Sequence, residues 1–278
     1  MFNRQLLQYK FNLKARSAKV LAFIYTEIAT RMLDRLDYIK LTPAAILDIG
    51  SGLDIDAQLL AKKYPAAQVY HLDFALNALQ LAMPKYGLIK RLWHKNRNFV
   101  CGDALQLPLQ AKSMDIVWSN LILPYIDDYT AYFKEIRRAL KVGGCFLVSG
   151  LGVDSLEQLR EIGLATYDFP DMHMIGDILV KLGFTNPVMD MDKITLEYDN
   201  LDLLLKDVRI LGIGAAAETR NAPLKRHQYA GLQAQFTHKV HADKFPLTLE
   251  VLYAHAWKDN EQLELPAGHK SIKFFPKK

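Results

Sequence analysis

The sequence predicts an α/β fold: a mostly parallel sheet of seven strands, helices on both of its faces, and a helical insertion before the last strand. Two observations carry this expectation. Short apolar runs, suited to strands buried on both faces, alternate with segments of helical periodicity across short turns. The first of these runs, at 45–49, opens directly into the glycine turn "GSGLD" at 50–54, as a ligand-binding strand-to-helix turn does.

The elements follow in order. Leu21, Ile24, Ile28, Met32 and Leu36 recur at helical spacing and predict an amphipathic helix over 20–39, broken by "LTP". Residues 1–44 form an N-terminal helical segment. Strand 45–49 is followed by a helix over 56–63. "AQVYHLD" at 67–73 is the second strand, and "NALQLAM" is helical. "NFVCGD" and "MDIVWSN" are the third and fourth strands. A helix over 129–141 stops at "KVGG", and "CFLVSGLG" is the fifth strand. A helix over 173–182 ends at Gly183, "NPVMDMDKITLEY" is a strand, and 247–258 is the last. The core spans 45–199, a helical and basic insertion spans 200–243, the closing core strand spans 244–258, and 259–278 reads as a loose tail.

The bulk properties narrow the function. Half of the 278 residues are hydrophobic and under a quarter are charged, a globular composition. No run of 18 apolar residues suggests a membrane span, and the basic, acid-free N-terminus lacks the apolar core of a signal peptide. A cytoplasmic protein is expected. The formal charge of +5 is modest, and its basic runs show no repeated aromatic-basic pattern for nucleic acid. Cys101 and Cys145, both in apolar runs, read as buried thiols. No metal-ligand spacing occurs, so no metal is expected.

Gly50 and Gly52 allow a tight turn and close ligand approach. The phosphate-loop pattern is absent. Asp54 breaks the dinucleotide pattern and is expected to face the ligand, which disfavours a phosphate and suits a cation. Polar groups end four consecutive strands. Asp73 suits the vicinal hydroxyls of a ribose, Asp103 an adenine amino group, Asn120 the same rim, and Asp48 the turn amides or a ligand ammonium. Asp73 and Asp103 also read as solvated strand ends.

With "DIGSGLD" and these strand ends, residues 45–152 resemble the class I methyltransferases, a Rossmann-like superfamily that uses S-adenosylmethionine. The resemblance implies that Asp73 holds the ribose, Asp103 faces the adenine, and Asn120 flanks the methionine part. The second half, with "LGVDSLEQLR", "FPDMHMIGDILVKLGFTNPVMDMDKITLEY", "LLLKDVRILGIGAA" and "EVLYAHAW", looks like the malonyl-acyl carrier protein O-methyltransferases of biotin synthesis. A related group, similar in sequence, serves complex I assembly as an arginine hydroxylase. The chain departs from the biotin enzymes in three places. Asp54 replaces a glycine, Ala18 stands where a tyrosine is usual, and "LPYID" at 123–127 replaces a Gln-Trp pair.

The resemblance implies malonyl-acyl carrier protein or malonyl-CoA as partner. The acceptor carboxylate needs a cation, for which Arg160, Arg209 and Lys206 are the candidates; each reads equally as a helix-surface residue. Tyr125 lines the acceptor channel or the core. His173 caps or packs its helix. Lys225, Arg226, Lys239 and Lys244 form a basic lid able to attract an acidic carrier protein. A non-catalytic assembly protein is the contrasting reading.

Overall fold

The computed structural model describes residues 3–83, 97–162, 164, 166–213, 226–239 and 244–259. Seven strands form one sheet in the order β3-β2-β1-β4-β5-β7-β6. They are β1 (Ala45–Ile49), β2 (Gln68–Asp73), β3 (Arg97–Cys101), β4 (Met114–Ser119), β5 (Leu140–Leu151), β6 (Thr185–Tyr198) and β7 (Phe245–Lys258). β1 to β5 run parallel, and β7 lies antiparallel between β5 and β6. The strand order reverses at β1 and β4. The carboxyl ends of these two strands therefore part and leave a crevice between them, as ligand sites in open sheets require.

Alternation along the strands feeds two apolar layers. Ile46, Trp118 and Leu147 enter the layer on one face, while Leu47, Val117 and Phe146 enter the other. The first layer is closed by α2 (Ala22–Leu36) and by α8 (Leu201–Leu211), through Ile24, Ile28, Met32, Leu204 and Val208. The second is closed by α5 (Tyr129–Ala139) and α7 (Met172–Lys181), through Phe133, Ile136, Ile175 and Leu179. Side-chain caps fix where three of these helices begin. Asp128 accepts from the Ala131 amide, Asp171 from the His173 amide, and Asn200 from the Leu203 amide.

Three local features differ from expectation. α5 stops at Ala139, and "KVGG" belongs to β5 instead of ending a helix. The pairing with β4 shifts register there, and Gly143 takes φ +82°. A five-residue helix, α6 (Glu157–Glu161), follows β5 and carries Arg160, though no bounds are predicted for it. Cys101 is exposed at the β3 edge of the sheet, while Cys145 is buried as expected.

The N-terminal segment contains α1 (Arg4–Lys14), a 3-10 turn over Ser17–Leu21, and α2. Asn3 caps α1 by accepting from the Leu6 amide. α1 crosses the carboxyl ends of the strands, where Gln8 donates to the Phe74 carbonyl at 2.6 Å and the Asn77 amide donates to Asn12 at 2.8 Å. Between β6 and β7 the chain forms α8 and α9 (Arg226–Lys239). Phe236 of α9 stacks on Phe245, 4.6 Å between centroids.

Candidate active site

A cavity opens at the carboxyl ends of β1 and β4, roofed by α1. Its floor is the glycine turn. Gly50 and Gly52 take φ +75° and +51°, and a Cβ on Gly52 would meet only the Gly50 carbonyl, at 3.8 Å. The space before the turn is open, and backbone there can approach a ligand closely.

Asp54 takes φ 62°, ψ 37°, the left-handed conformation in which a glycine is favoured. Contrary to expectation, its side chain does not face the ligand. It is fully buried beneath the turn, with Oδ1 3.4 Å from Nδ1 of His71. Asp48 approaches the same nitrogen at 3.7 Å and is likewise buried away from the cavity. Burial, with Asp73 nearby, pushes its carboxyl well up from the ordinary value. Asp48 and Asp54 thus support the turn from behind.

Two other acids face the cavity. Asp73, the last residue of β2, accepts from the Gly52 amide at 2.9 Å and from the Ala75 amide at 2.7 Å. Burial raises its carboxyl to about 6, against the lowering effect of the Ala75, Gly52 and Phe74 amides. Asp56, on the first turn of α3 (Ile55–Lys63), accepts from the Trp118 indole at 2.8 Å and from the Asn120 amide at 3.3 Å. Its carboxyl is pushed up by burial and then by Asp48. Asn120 also donates to the Tyr25 carbonyl and accepts from the Ser149 hydroxyl, both at 2.9 Å. Burial, then Asp56 and Asp73, push the Tyr25 phenol up to about 12. Two buried acids beside a glycine turn favour a cationic ligand, because a cation restores their charged forms. This observation disfavours a dinucleotide phosphate in the way Asp54 was expected to do.

Another part of the cavity wall is different in kind. Phe11 of α1 meets Tyr125 edge-on at 4.9 Å, and the Tyr125 hydroxyl donates to the Leu211 carbonyl of α8. Lys14 belongs to this part of the lining, its ammonium 3.6 Å from where a Cβ on Gly212 would lie. Arg4 pairs with Asp103, which itself accepts from the Leu105 amide and does not line the cavity.

The structure therefore brings Gly50, Gly52, Asp73, Asn120 and Tyr125 to the cavity, and places Asp48 behind it and Asp103 at its margin under Arg4. It does not bring Arg160 there. That guanidinium donates to the carbonyls of Ser155 and Val153 and to the Thr166 hydroxyl. Lys206 and Arg209 lie exposed on α8, outside the cavity lining. His173 is exposed at the start of α7. Of the basic lid, Lys244 pairs with Asp199 and Arg226 is exposed at the start of α9, whereas Lys225 and the Lys239 side chain lie outside the described residues. Asp56, Tyr25, Arg4 and Lys14 are cavity residues that sequence reasoning missed. The one signal for Lys14 was the acid-free basic stretch that holds it. Among the described residues, no three His, Cys, Asp or Glu side chains are grouped to hold a metal, and no helix is long and apolar enough to cross a membrane.

The sheet order, the glycine turn and the acid ending β2 define a class I methyltransferase of the S-adenosylmethionine-dependent kind. A family model described as a methyltransferase domain matches residues 47–148. The chain is 38% identical to a malonyl-acyl carrier protein O-methyltransferase of Gallionella capsiferriformans, over 93% of this chain and 92% of that one. It is 35% identical to one from a Methylovorus species, over 100% and 96%. The chain belongs to this family of malonyl-acyl carrier protein O-methyltransferases. Among solved structures, the YcgJ protein of Bacillus subtilis shares the fold at TM-score 0.59 and 14% identity, over 83% of this chain and 98% of that one. A Haemonchus contortus phosphoethanolamine N-methyltransferase, solved with S-adenosylhomocysteine, does so at TM-score 0.54 and 24% identity, over 83% and 53%.

Proposed function

We propose that the protein transfers a methyl group from S-adenosylmethionine to the free carboxylate of a malonyl thioester on acyl carrier protein or coenzyme A, giving the methyl ester used in biotin synthesis. The observation that carries this reading is the end-to-end similarity to relatives named for that reaction. The presence of both Asp56 with Asp73 and Lys14 in one cavity lining supports it, since the acids suit a cation and the lysine an anion.

In this reading Asp73 receives the ribose hydroxyls, while Gly50 and Gly52 let the donor approach the backbone. Asp56 and Asn120 border its amino-acid part, and Asp103 with Arg4 bounds the adenine side. Asp48 holds the turn in place. S-adenosylmethionine supplies an already activated methyl group on sulfur. The acceptor carboxylate is ionised near neutral pH, as carboxyl groups ordinarily titrate around pH 4, so no general base is required. The protein's contribution is alignment and exclusion of water, with α1 as the roof. A desolvated acceptor carboxylate needs a cation beside it.

The test is incubation with labelled donor and malonyl-acyl carrier protein, followed by intact mass. The expected product has gained one methyl group and lost one negative charge. Equal turnover of acetyl and malonyl thioesters would refute the reading. Gain of an oxygen atom on an arginine would establish the hydroxylase instead, and absence of donor binding the non-catalytic protein.

A further inference from the structure

Two cations of α1, Arg4 and Lys14, line the cavity. Arg4 is paired with Asp103. Lys14 makes no ion pair among the described residues. Its ammonium lies below the end of α8, near Gly212 and the Tyr125 ring. Lys10, one helical turn earlier, is 92% buried (8% exposed), and Arg209 faces Lys14 from α8. Burial first, then Lys10 and Arg209, lower the Lys14 ammonium to about 8. Lys14 thus reaches the cavity with other cations acting on it, Lys10 from its own helix and Arg209 from α8. Like charges gathered in this way repel one another, and an anion among them relieves that repulsion.

We infer that Lys14, flanked by Lys10 and Arg209, is the group that receives the carboxylate of the methyl acceptor. This rests on the proposed function and assigns within it the acceptor-recognition residue. Arg160 is unsuited to that role, because its donors are engaged by the loop after β5. Lys14 is suited to it because it lines the cavity itself. Arg209 acts from outside the lining, as a neighbour that keeps the site cationic. The recognised chemistry is a carboxylate at the end of a short acyl thioester, and a neutral acyl group offers Lys14 nothing to pair with.

The full chain is compared with Lys14→Met and Lys14→Arg, each checked for unchanged circular dichroism. With malonyl-acyl carrier protein as acceptor, Lys14→Met is expected to raise KM roughly tenfold to a hundredfold, the range for one charge-assisted hydrogen bond. The affinity for S-adenosylmethionine stays within about threefold, because Lys14 makes no ion pair with Asp73 or Asp56, the acids proposed for the donor. Lys14→Arg recovers most of the loss. An unchanged acceptor KM in Lys14→Met, with wild type active, overturns this inference and leaves the proposed function standing. If wild type does not methylate malonyl-acyl carrier protein, the proposed function fails. The inference is then read by titrating malonyl-pantetheine and acetyl-pantetheine into protein saturated with S-adenosylhomocysteine. A preference for the malonyl compound that disappears in Lys14→Met upholds it. No preference in wild type, or one that Lys14→Met retains, overturns it.

Discussion

The carboxylate of Asp54 lies 3.4 Å from the imidazole of His71, with both side chains fully buried between the glycine turn and β2. A residue at a position where a glycine is usual has become part of the support beneath the turn. Asp54→Asn keeps a side chain tolerant of the left-handed backbone but removes the acid. The variant is expected to lose about 1 to 3 kcal/mol of stability, as when a buried polar group loses the partner beside it. Donor affinity should stay within about threefold. Chemical denaturation and calorimetry check the two halves, and a collapse of affinity in a stable variant would return Asp54 to the ligand side.

Asp73→Ala removes both the ribose acceptor proposed above and the bond that holds the Gly52 amide. Donor binding is expected to weaken at least about tenfold, since charge-assisted bonds contribute roughly 1.5 to 3 kcal/mol each. Calorimetric titration measures it. Wild-type affinity in a folded Asp73→Ala protein would move the donor site elsewhere.

The pH dependence follows from the raised carboxyl of Asp73, about 6 in the fold against 3.8 for the ordinary group. The folded state favours the protonated acid. Its contribution to stability is therefore greatest below pH 4 and declines as pH rises through 6. A cationic ligand reverses the preference by favouring the carboxylate, so binding releases protons. Affinity for S-adenosylmethionine is expected to rise from about pH 5 to about pH 7. Titrations in buffers of different ionisation heat measure the proton release, and a flat profile would contradict it.

Tyr125→Phe keeps the ring against Phe11 but removes the hydroxyl that bonds the Leu211 carbonyl. The expected loss is about 1 kcal/mol. Amide hydrogen exchange should quicken at the end of α8, around Val208 and Gly212, and not in β1 or β4. Unchanged exchange there would show that the hydroxyl does not anchor α8.

All seven strands were legible from local patterns, most as apolar runs bounded by turn residues and β6 as an alternation of apolar and polar residues. The "KVGG" segment misled because glycine marks both helix ends and bulges, and only the pairing of β5 with β4 decides between them. α6 is too short for a periodic signal. Within the site, Asp73 was legible as an acid at a strand end. The inward turn of Asp48 was not, because it depends on Asp48 standing opposite His71 in the β1–β2 register. Lys14 and Asp56 were missed for a related reason. Which side of a helix meets a cavity is set by where the helix docks, and α1 docks through contacts with residues far along the chain, such as Phe74 and Asp103.

β7, last of the seven strands in chain order, sits between two strands made before it. During synthesis β5 and β6 must therefore wait, each with an unsatisfied edge, until residues 245–258 have emerged to join them. A nascent chain halted before that point presents the open edge of β5 and a wholly unpaired β6 to its neighbours, a known route to strand-mediated aggregation. Closure of the sheet also requires contacts distant in sequence, which slow folding. Substitutions in β7 should consequently reduce the yield of soluble protein more than their effect on the finished fold would suggest.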